Sequence, residues 1–395
     1  MSSKEQWLLP EGIEEVLPPA AWRLECARRE LLDLFSRWGY VLIMPPLLEY
    51  LESLLTGAGT DLDLQTFKVT DQVSGRMLGL RADMTPQAAR IDAHPLKREA
   101  PSRLCYMGSV LRTRSNGFGG SRSPLQVGAE LFGHAGVESD VEILSLVLAT
   151  LAHMEIADVH LDLGHVGIFR GLAREAGLSV VQENDLFEAL QRKASAEIDA
   201  ILTAGPGTGV QRERLAMLAR LNGGSEVLDT ARERFAGASA EVISALDNLS
   251  AIATVVRERA GAAALFFDLA ELRAYKYQTG MVFAVYVPGS GQEIARGGRY
   301  DDIGKDFGRA RPATGFSTDL KTLMDLSQRN FGSQDGGIFA PGDADPALFA
   351  AIQRLRASGE RVVVALPGQK AGAAGMDCDR ALVKEKDNWV VEPVN

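Results

Sequence analysis

Apolar positions recur at helical spacing over residues 20–38, where Leu24, Ala27, Leu31, Leu34, Phe35 and Trp38 form one stripe. Gly39 ends that helix, and YVLIMPPLLEY (40–50) reads as a buried strand stopped by Pro45 and Pro46. FKVTD (67–71) and RMLGLR (76–81) read as strands around a turn at 71–75, after which Asp83 and Thr85 open a helix with Pro86 in its first turn. Residues 103–133 predict a strand, a loop and a second strand. The first run (104–111) is apolar and ends on Arg112, and 113–124 is rich in Gly, Ser and Arg. The second run (125–132) alternates, with Gln126, Gly128 and Glu130 on one face and Leu125, Val127, Ala129 and Leu131 on the other.

Further on, 137–156 is an amphipathic helix and 157–165 a strand, and from 167 to 260 the pattern turns helical between Gly-rich breaks. Strands resume at 264–289 and 292–303. After Leu326 come a linker (328–337), a strand (338–342), a helix (347–359) and a strand (361–369), while 370–391 is too short and too mixed in charge to promise more. The expected fold is therefore α+β. A body over 1–326 carries a helical insertion at about 167–260, and 327–395 forms a linker and a small α/β unit.

Gln126 and Glu130 aim an amide and a carboxylate at a common spot, with Arg112 close by, which makes a cradle for a small zwitterion; the other reading is a half-buried strand whose polar face meets water. Asp83 and Thr85 serve equally well as helix caps. The glycine pair before Arg299 and Tyr300 fits a tight turn or a close backbone approach. AGPGTG (204–209) lacks the Gly-Lys-Ser/Thr of a phosphate loop and is a plain loop. Composition changes little: 46% hydrophobic and 24% charged residues are ordinary for a globular chain. The three scattered cysteines fit a reducing cytoplasm, no metal spacing appears, and no apolar run is long enough for a membrane span. The formal net charge of -10 gives no help to a nucleic-acid reading.

The hairpin resembles motif two of the class II aminoacyl-tRNA synthetases, in the histidyl-tRNA synthetase form with Gln-x-Gly-x-Glu on its second strand. Three further stretches carry the same resemblance in order. The helix, strand and proline of 20–46 are similar to motif one, the dimer-forming element. Leu80-Arg81-Ala82-Asp83-Met84-Thr85 is similar to Leu-Arg-Pro-Glu-x-Thr, with the acid one methylene shorter. Residues 273–283 and GGRYD (297–301) are similar to the two histidyl peptides; aligned on Val282-Phe283, the family's arginine falls on Arg273 and its tyrosine pair on Tyr277 and Gln278. The resemblance implies a histidine site: Asp83, Thr85 and Gln126 for the ammonium, Arg273 with or without Arg112 for the carboxylate, Glu130 with Tyr277 or Tyr275 for the imidazole, and Tyr300 as a wall. An arginine fork suits a carboxylate, and buried polar groups reject a ligand that leaves them unpaired.

The nucleotide half departs from that pattern. Motif two should read Arg-x-Glu but is Arg112-Thr113-Arg114, and Asp319, Lys321 and Thr322 stand where motif three has Gly, Glu and Arg. Each lost charged hydrogen bond is worth about 1.5–3 kcal/mol, so ATP activation is expected to be lost. The tail falls short of a full anticodon-binding domain, and no tRNA is expected. The combination resembles the regulatory-subunit family of ATP phosphoribosyltransferase. That resemblance implies a cytoplasmic protein with no catalytic residue, cofactor or metal, a self-dimer through motif one, a hetero-octamer with the short catalytic subunit, and histidine as effector. Whether histidine occupies the old pocket or a subunit interface stays open. The rival readings are a truncated histidyl-tRNA synthetase, a paralogue adenylating another substrate, and a histidine sensor for another partner.

Overall fold

The first apolar stripe becomes α1 (Ala20–Arg37), which buries Ala27, Leu31 and Phe35. The apolar run behind it is not a buried strand. Only β1 (Val41–Leu42) forms, pairing in parallel with Leu104 and Cys105, and its residues are 50% and 43% exposed. It is an edge strand, so its apolar side chains face outward. The computed structural model describes residues 7–57, 60–115, 120–260, 264–272, 275, 277–332, 336–386 and 388–394.

β2 (Leu48–Tyr50), α2 (Leu51–Leu54) and α3 (Thr60–Gln65) follow, then β3 (Phe67–Thr70) and β4 (Met77–Leu80). The three strands make a small antiparallel sheet in the order β2-β4-β3, and Asp71 closes the predicted turn by accepting from the amides of Val73 and Ser74. α4 (Thr85–Ile91) has Pro86 in its first turn and runs on into a π-helical turn at Asp92–Leu96.

β5 (Ser102–Ser109) and β6 (Leu125–Phe132) form the hairpin, with Tyr106 opposite Gly128 and Gly108 opposite Gln126. α5 (Val137–His153) and β7 (His160–His165) lead into the helical block of α6 (Val166–Ala176), α7 (Val180–Gln191), α8 (Ser195–Ala204), α9 (Gly209–Met217), α10 (Glu226–Arg234) and α11 (Ala240–Ala260). A two-residue β8 (Asn222–Gly223) interrupts the block and extends the main sheet, which the helical pattern did not anticipate. The glycine loop before α9 ends in Thr208, whose hydroxyl caps that helix in a reciprocal box with Gln211. The chain returns through β9 (Ala264–Asp268), β10 (Met281–Tyr286), β11 (Ala295–Arg299), α12 (Ile303–Asp306), β12 (Ala313–Asp319) and α13 (Leu320–Leu326). Among the described residues the main sheet runs β1-β5-β6-β12-β11-β10-β7-β9-β8. It is antiparallel through its middle, with parallel pairs at β1–β5 and β7–β9.

Beyond the linker come β13 (Ile338–Ala340), α14 (Pro346–Ala357) and β14 (Val362–Val364). Contrary to expectation, the tail then adds β15 (Arg380–Glu385) and β16 (Asn388–Pro393), completing a four-stranded sheet in the order β14-β13-β15-β16. Leu382 joins Ile338, Ala340, Leu348, Ile352 and Val362 in its core. The charges that obscured these strands, among them Lys384, Glu385 and Glu392, lie exposed, and Glu392 stands on the edge strand β16, where charge blocks further pairing. By packing, the chain divides into two compact units, Met1–Glu15 with Ala27–Arg329, and Val16–Cys26 with Asn330–Asn395.

Two buried ion pairs fix the larger unit. Arg311 donates to both oxygens of Asp92 at 3.0 Å. Arg299, at the end of β11, meets Asp140 of α5 at 2.9 Å and also donates to the carbonyls of His134 and Gly136 and to the Ser139 hydroxyl. Burial raises the Asp140 carboxyl above its ordinary range while Arg299 pulls it back. Removing the cation strands an anion inside the protein. Arg299→Met should therefore cost about 3–5 kcal/mol in chemical denaturation, and pairing it with Asp140→Leu should recover much of that loss.

Candidate functional site

Glu130 lies on β6, between β5 and β12, opposite Leu104 and Gly315. Gly315 makes room for it: a Cβ there would come within 1.6 Å of Glu130 Oε2. The side chain is 1% exposed. Its Oε1 accepts from the Tyr106 hydroxyl at 2.8 Å and its Oε2 from the Tyr300 hydroxyl. Burial pushes the carboxyl up to about 8, with the hydroxyl donors pulling the other way. The same burial, with the Glu130 charge, raises the Tyr106, Tyr277 and Tyr300 hydroxyls well above the ordinary tyrosine value, so each stays protonated.

Tyr277 stacks on Tyr300 at 5.1 Å between ring centroids. Its hydroxyl is buried and makes no hydrogen bond among the described residues. A buried hydroxyl without a partner costs about 1–3 kcal/mol, so this atom calls for a partner that the described residues do not provide.

Next to this cluster, the buried Gln126 accepts from the Met84 amide at 3.0 Å through Oε1 and donates to Asp83 Oδ1 at 3.0 Å through Nε2. Asp83 Oδ1 also accepts from the Thr85 amide at 2.8 Å, so this side chain, one position before the N-cap Met84, meets both the start of α4 and Gln126. The Thr85 hydroxyl lies 3.1 Å from that of Tyr106 and so links the Asp83–Gln126 group to Glu130. Arg112 donates from Nε to the Ala82 carbonyl at 3.3 Å. Burial lowers its pKa, and the charges of Asp83 and Asp319 oppose that shift.

The structure thus gathers Asp83, Thr85, Gln126, Glu130, Tyr277 and Tyr300, with Arg112 alongside. Tyr275 does not join them. Its hydroxyl donates to Glu183 and its ring packs on Phe169 and Phe187, so it packs against the insertion, and of the two tyrosines only Tyr277 reaches the Glu130 cluster. Arg273 lies outside the described residues. Tyr106, which bonds both Glu130 and Thr85, was not anticipated. Its signal lay in the hairpin register, which puts it on the face of Gln126 and Glu130 directly across from Gly128.

On the side where motif three would hold a nucleotide, the replacements are bound to the protein itself. Asp319 Oδ1 accepts from the amides of Lys321 at 3.1 Å and Leu125 at 2.9 Å, capping α13 and fastening the start of β6. Lys321 Nζ donates to the Ser123 carbonyl at 2.9 Å. A surface groove of about 770 Å³ along α5, lined among others by Trp38, Arg103, Glu142 and Leu148, shares no residue with the cluster. Among the described residues no group of three His, Cys, Asp or Glu side chains is placed to hold a metal ion, and no helix is long and apolar enough to cross a membrane.

Residues 12–323 match the family described as histidyl-tRNA synthetase, and residues 335–392 match the ATP phosphoribosyltransferase subunit HisZ C-terminal domain. The ATP phosphoribosyltransferase regulatory subunit of Thioalkalivibrio sulfidiphilus (strain HL-EbGR7) is 59% identical over 392 residues, spanning 99% of this chain and 99% of its own length. The protein of the same name from Pseudomonas syringae pv. syringae (strain B728a) is 58% identical and spans 100% of both chains. A crystal structure from Bacillus halodurans C, described as an ATP phosphoribosyltransferase regulatory subunit/histidyl-tRNA synthetase, superposes with a TM-score of 0.81 at 28% identity, covering 92% of this chain and 94% of its own. With a synthetase-like body, a tail of the second type and full-length relatives of one name, the chain belongs to the family of ATP phosphoribosyltransferase regulatory subunits.

Proposed function

We propose that this chain is the non-catalytic regulatory subunit of ATP phosphoribosyltransferase, acting at the first step of histidine biosynthesis, and that free histidine binds in the Glu130 cluster as the feedback effector. The observation that carries this reading is the Tyr277 hydroxyl, without a partner among the described residues, beside a buried carboxylate: together they offer an imidazole edge one acceptor and one hydroxyl. Asp83 and Gln126 supply the anionic and amide groups for the ammonium, and Arg112, with Arg273, the cation for the carboxylate. Phosphoribosyl transfer belongs to the short catalytic partner. The inward bonds of Asp319 and Lys321 favour this reading over a working synthetase, because those side chains are committed to the chain's own amides and carbonyls.

The assembly follows the same logic. Val41, Leu42, Met44, Leu48 and Tyr50 form an exposed apolar run along the motif-one segment, suited to a second copy of this chain, with the catalytic subunits completing a hetero-octamer in the cytoplasm. No tRNA partner, cofactor or metal enters this scheme. Residues 1–326 act as the synthetase-like body, with 327–395 as an appended unit.

Reconstitution tests the whole. The short phosphoribosyltransferase should be active only with this chain present and should then be inhibited by histidine, while histidine-dependent ATP–pyrophosphate exchange by this chain alone should stay at background. Robust exchange would overturn the reading.

The pocket makes a sharper prediction through Glu130. Its folded-state pKa lies above the unfolded value of about 4.3, so the folded protein binds the extra proton and loses stability as pH climbs from there through about 8. Glu130→Gln should accordingly raise the melting temperature of the unliganded protein near pH 8, yet weaken histidine binding by about ten- to a hundredfold in calorimetry. If the imidazole N–H needs the ionised carboxylate, wild-type affinity should rise from about pH 7 to about pH 8.5 with proton release on binding. Calorimetry in two buffers of different ionisation heat measures that release.

A further inference from the structure

The peptide between β9 and β10 carries two tyrosines with separate sets of neighbours. Tyr277 stacks on Tyr300 in the pocket wall. Tyr275, two positions earlier, is held by the insertion. Its hydroxyl donates to Glu183 on α7, its ring stacks on Phe187 at 5.4 Å, and Phe169 on α6 meets it edge-on at 5.3 Å. Arg170 on α6 sits 5.0 Å over the same ring. Its Nη2 donates to the carbonyls of Tyr275 and Gln278, each at 3.2 Å, so one guanidinium grips the backbone on both sides of Tyr277. Gln191, the last residue of α7, donates to the Ala270 carbonyl at 2.9 Å, and Lys193 pairs with Asp268 at 2.8 Å.

These bonds exceed what packing alone requires. A guanidinium spanning two carbonyls holds the backbone on both sides of Tyr277 and so the direction of its ring. Conversely, a ligand that meets the Tyr277 hydroxyl pulls on a peptide whose other anchor is α7. A constraint of this kind works equally in both directions, because coupling between two sites is reciprocal.

We propose that Arg170 and Glu183 are positioning residues for Tyr277, and that α6 and α7 of the insertion sense occupancy of the histidine site through Tyr275. This rests on the reading of the Glu130 cluster as that site. It gives the insertion a regulatory role: α7 is the element that tightens when histidine binds, and whatever loosens α7 weakens histidine.

The test is amide hydrogen exchange on the full-length chain with and without histidine, run beside calorimetry. In the wild type, histidine should slow exchange along α7 (Val180–Gln191) severalfold while leaving α14 (Pro346–Ala357) unchanged. Tyr275→Phe keeps the stacked ring but loses the hydroxyl, and Glu183→Leu removes its acceptor. Each should weaken histidine by about tenfold and abolish the slowing at α7. Glu183→Gln still accepts from Tyr275 and should restore both readouts, which a role in packing alone would not produce. Histidine bound equally well by the wild type and Tyr275→Phe, with α7 unaffected, would refute the coupling and leave the site standing. A wild type that binds no histidine would remove both.

Discussion

Everything in the larger unit is arranged around a carboxylate held where water cannot reach it. A lone buried anion is too costly to keep, and Glu130 is tolerated only because hydroxyls from two other strand regions converge on it and because Gly315 leaves a space for its oxygens. Tyr106 comes from the partner strand of the hairpin, and Tyr300 from the turn after β11. Their convergence demands that β5, β6, β12 and β11 be neighbours in that order. The Arg299–Asp140 and Arg311–Asp92 pairs hold the flanking helices against this sheet and so keep the donors in line.

Much of this was readable from the chain. The alternation over 125–132 puts Gln126 and Glu130 on one face whatever the tertiary structure, since a strand has a period of two. Asp83 and Thr85 also declared themselves, because a helix start beside an apolar strand confines where their side chains go. Tyr106 escaped because its importance depends on a register between two strands, which neither strand encodes by itself. Tyr275 and Tyr277 could not be separated by order alone. The choice between them is made by Phe169, Phe187 and Glu183, which lie far off in the sequence on the insertion.

Two errors share one cause. The run over 40–50 reads as buried because it is apolar, and 370–391 promises no further strand because it is mixed in charge. Hydrophobicity reports whether a residue avoids water, and a second chain can shield Val41 and Leu42 as well as a core can. Charge on the edge strand β16 guards an unpaired side, and the charges on β15 conceal the alternation that Leu382 would otherwise reveal.

The bonds of Asp319 tie the motif-three position to the strand that bears the cluster. The carboxylate that stands where a glycine would be needed now holds the first turn of α13 and the first amide of β6. Restoring the glycine would leave two main-chain donors wanting and loosen the strand that carries Gln126 and Glu130. One side chain thus fastens a helix and a strand together, so any replacement at this position is felt as far as the buried carboxylate further along β6.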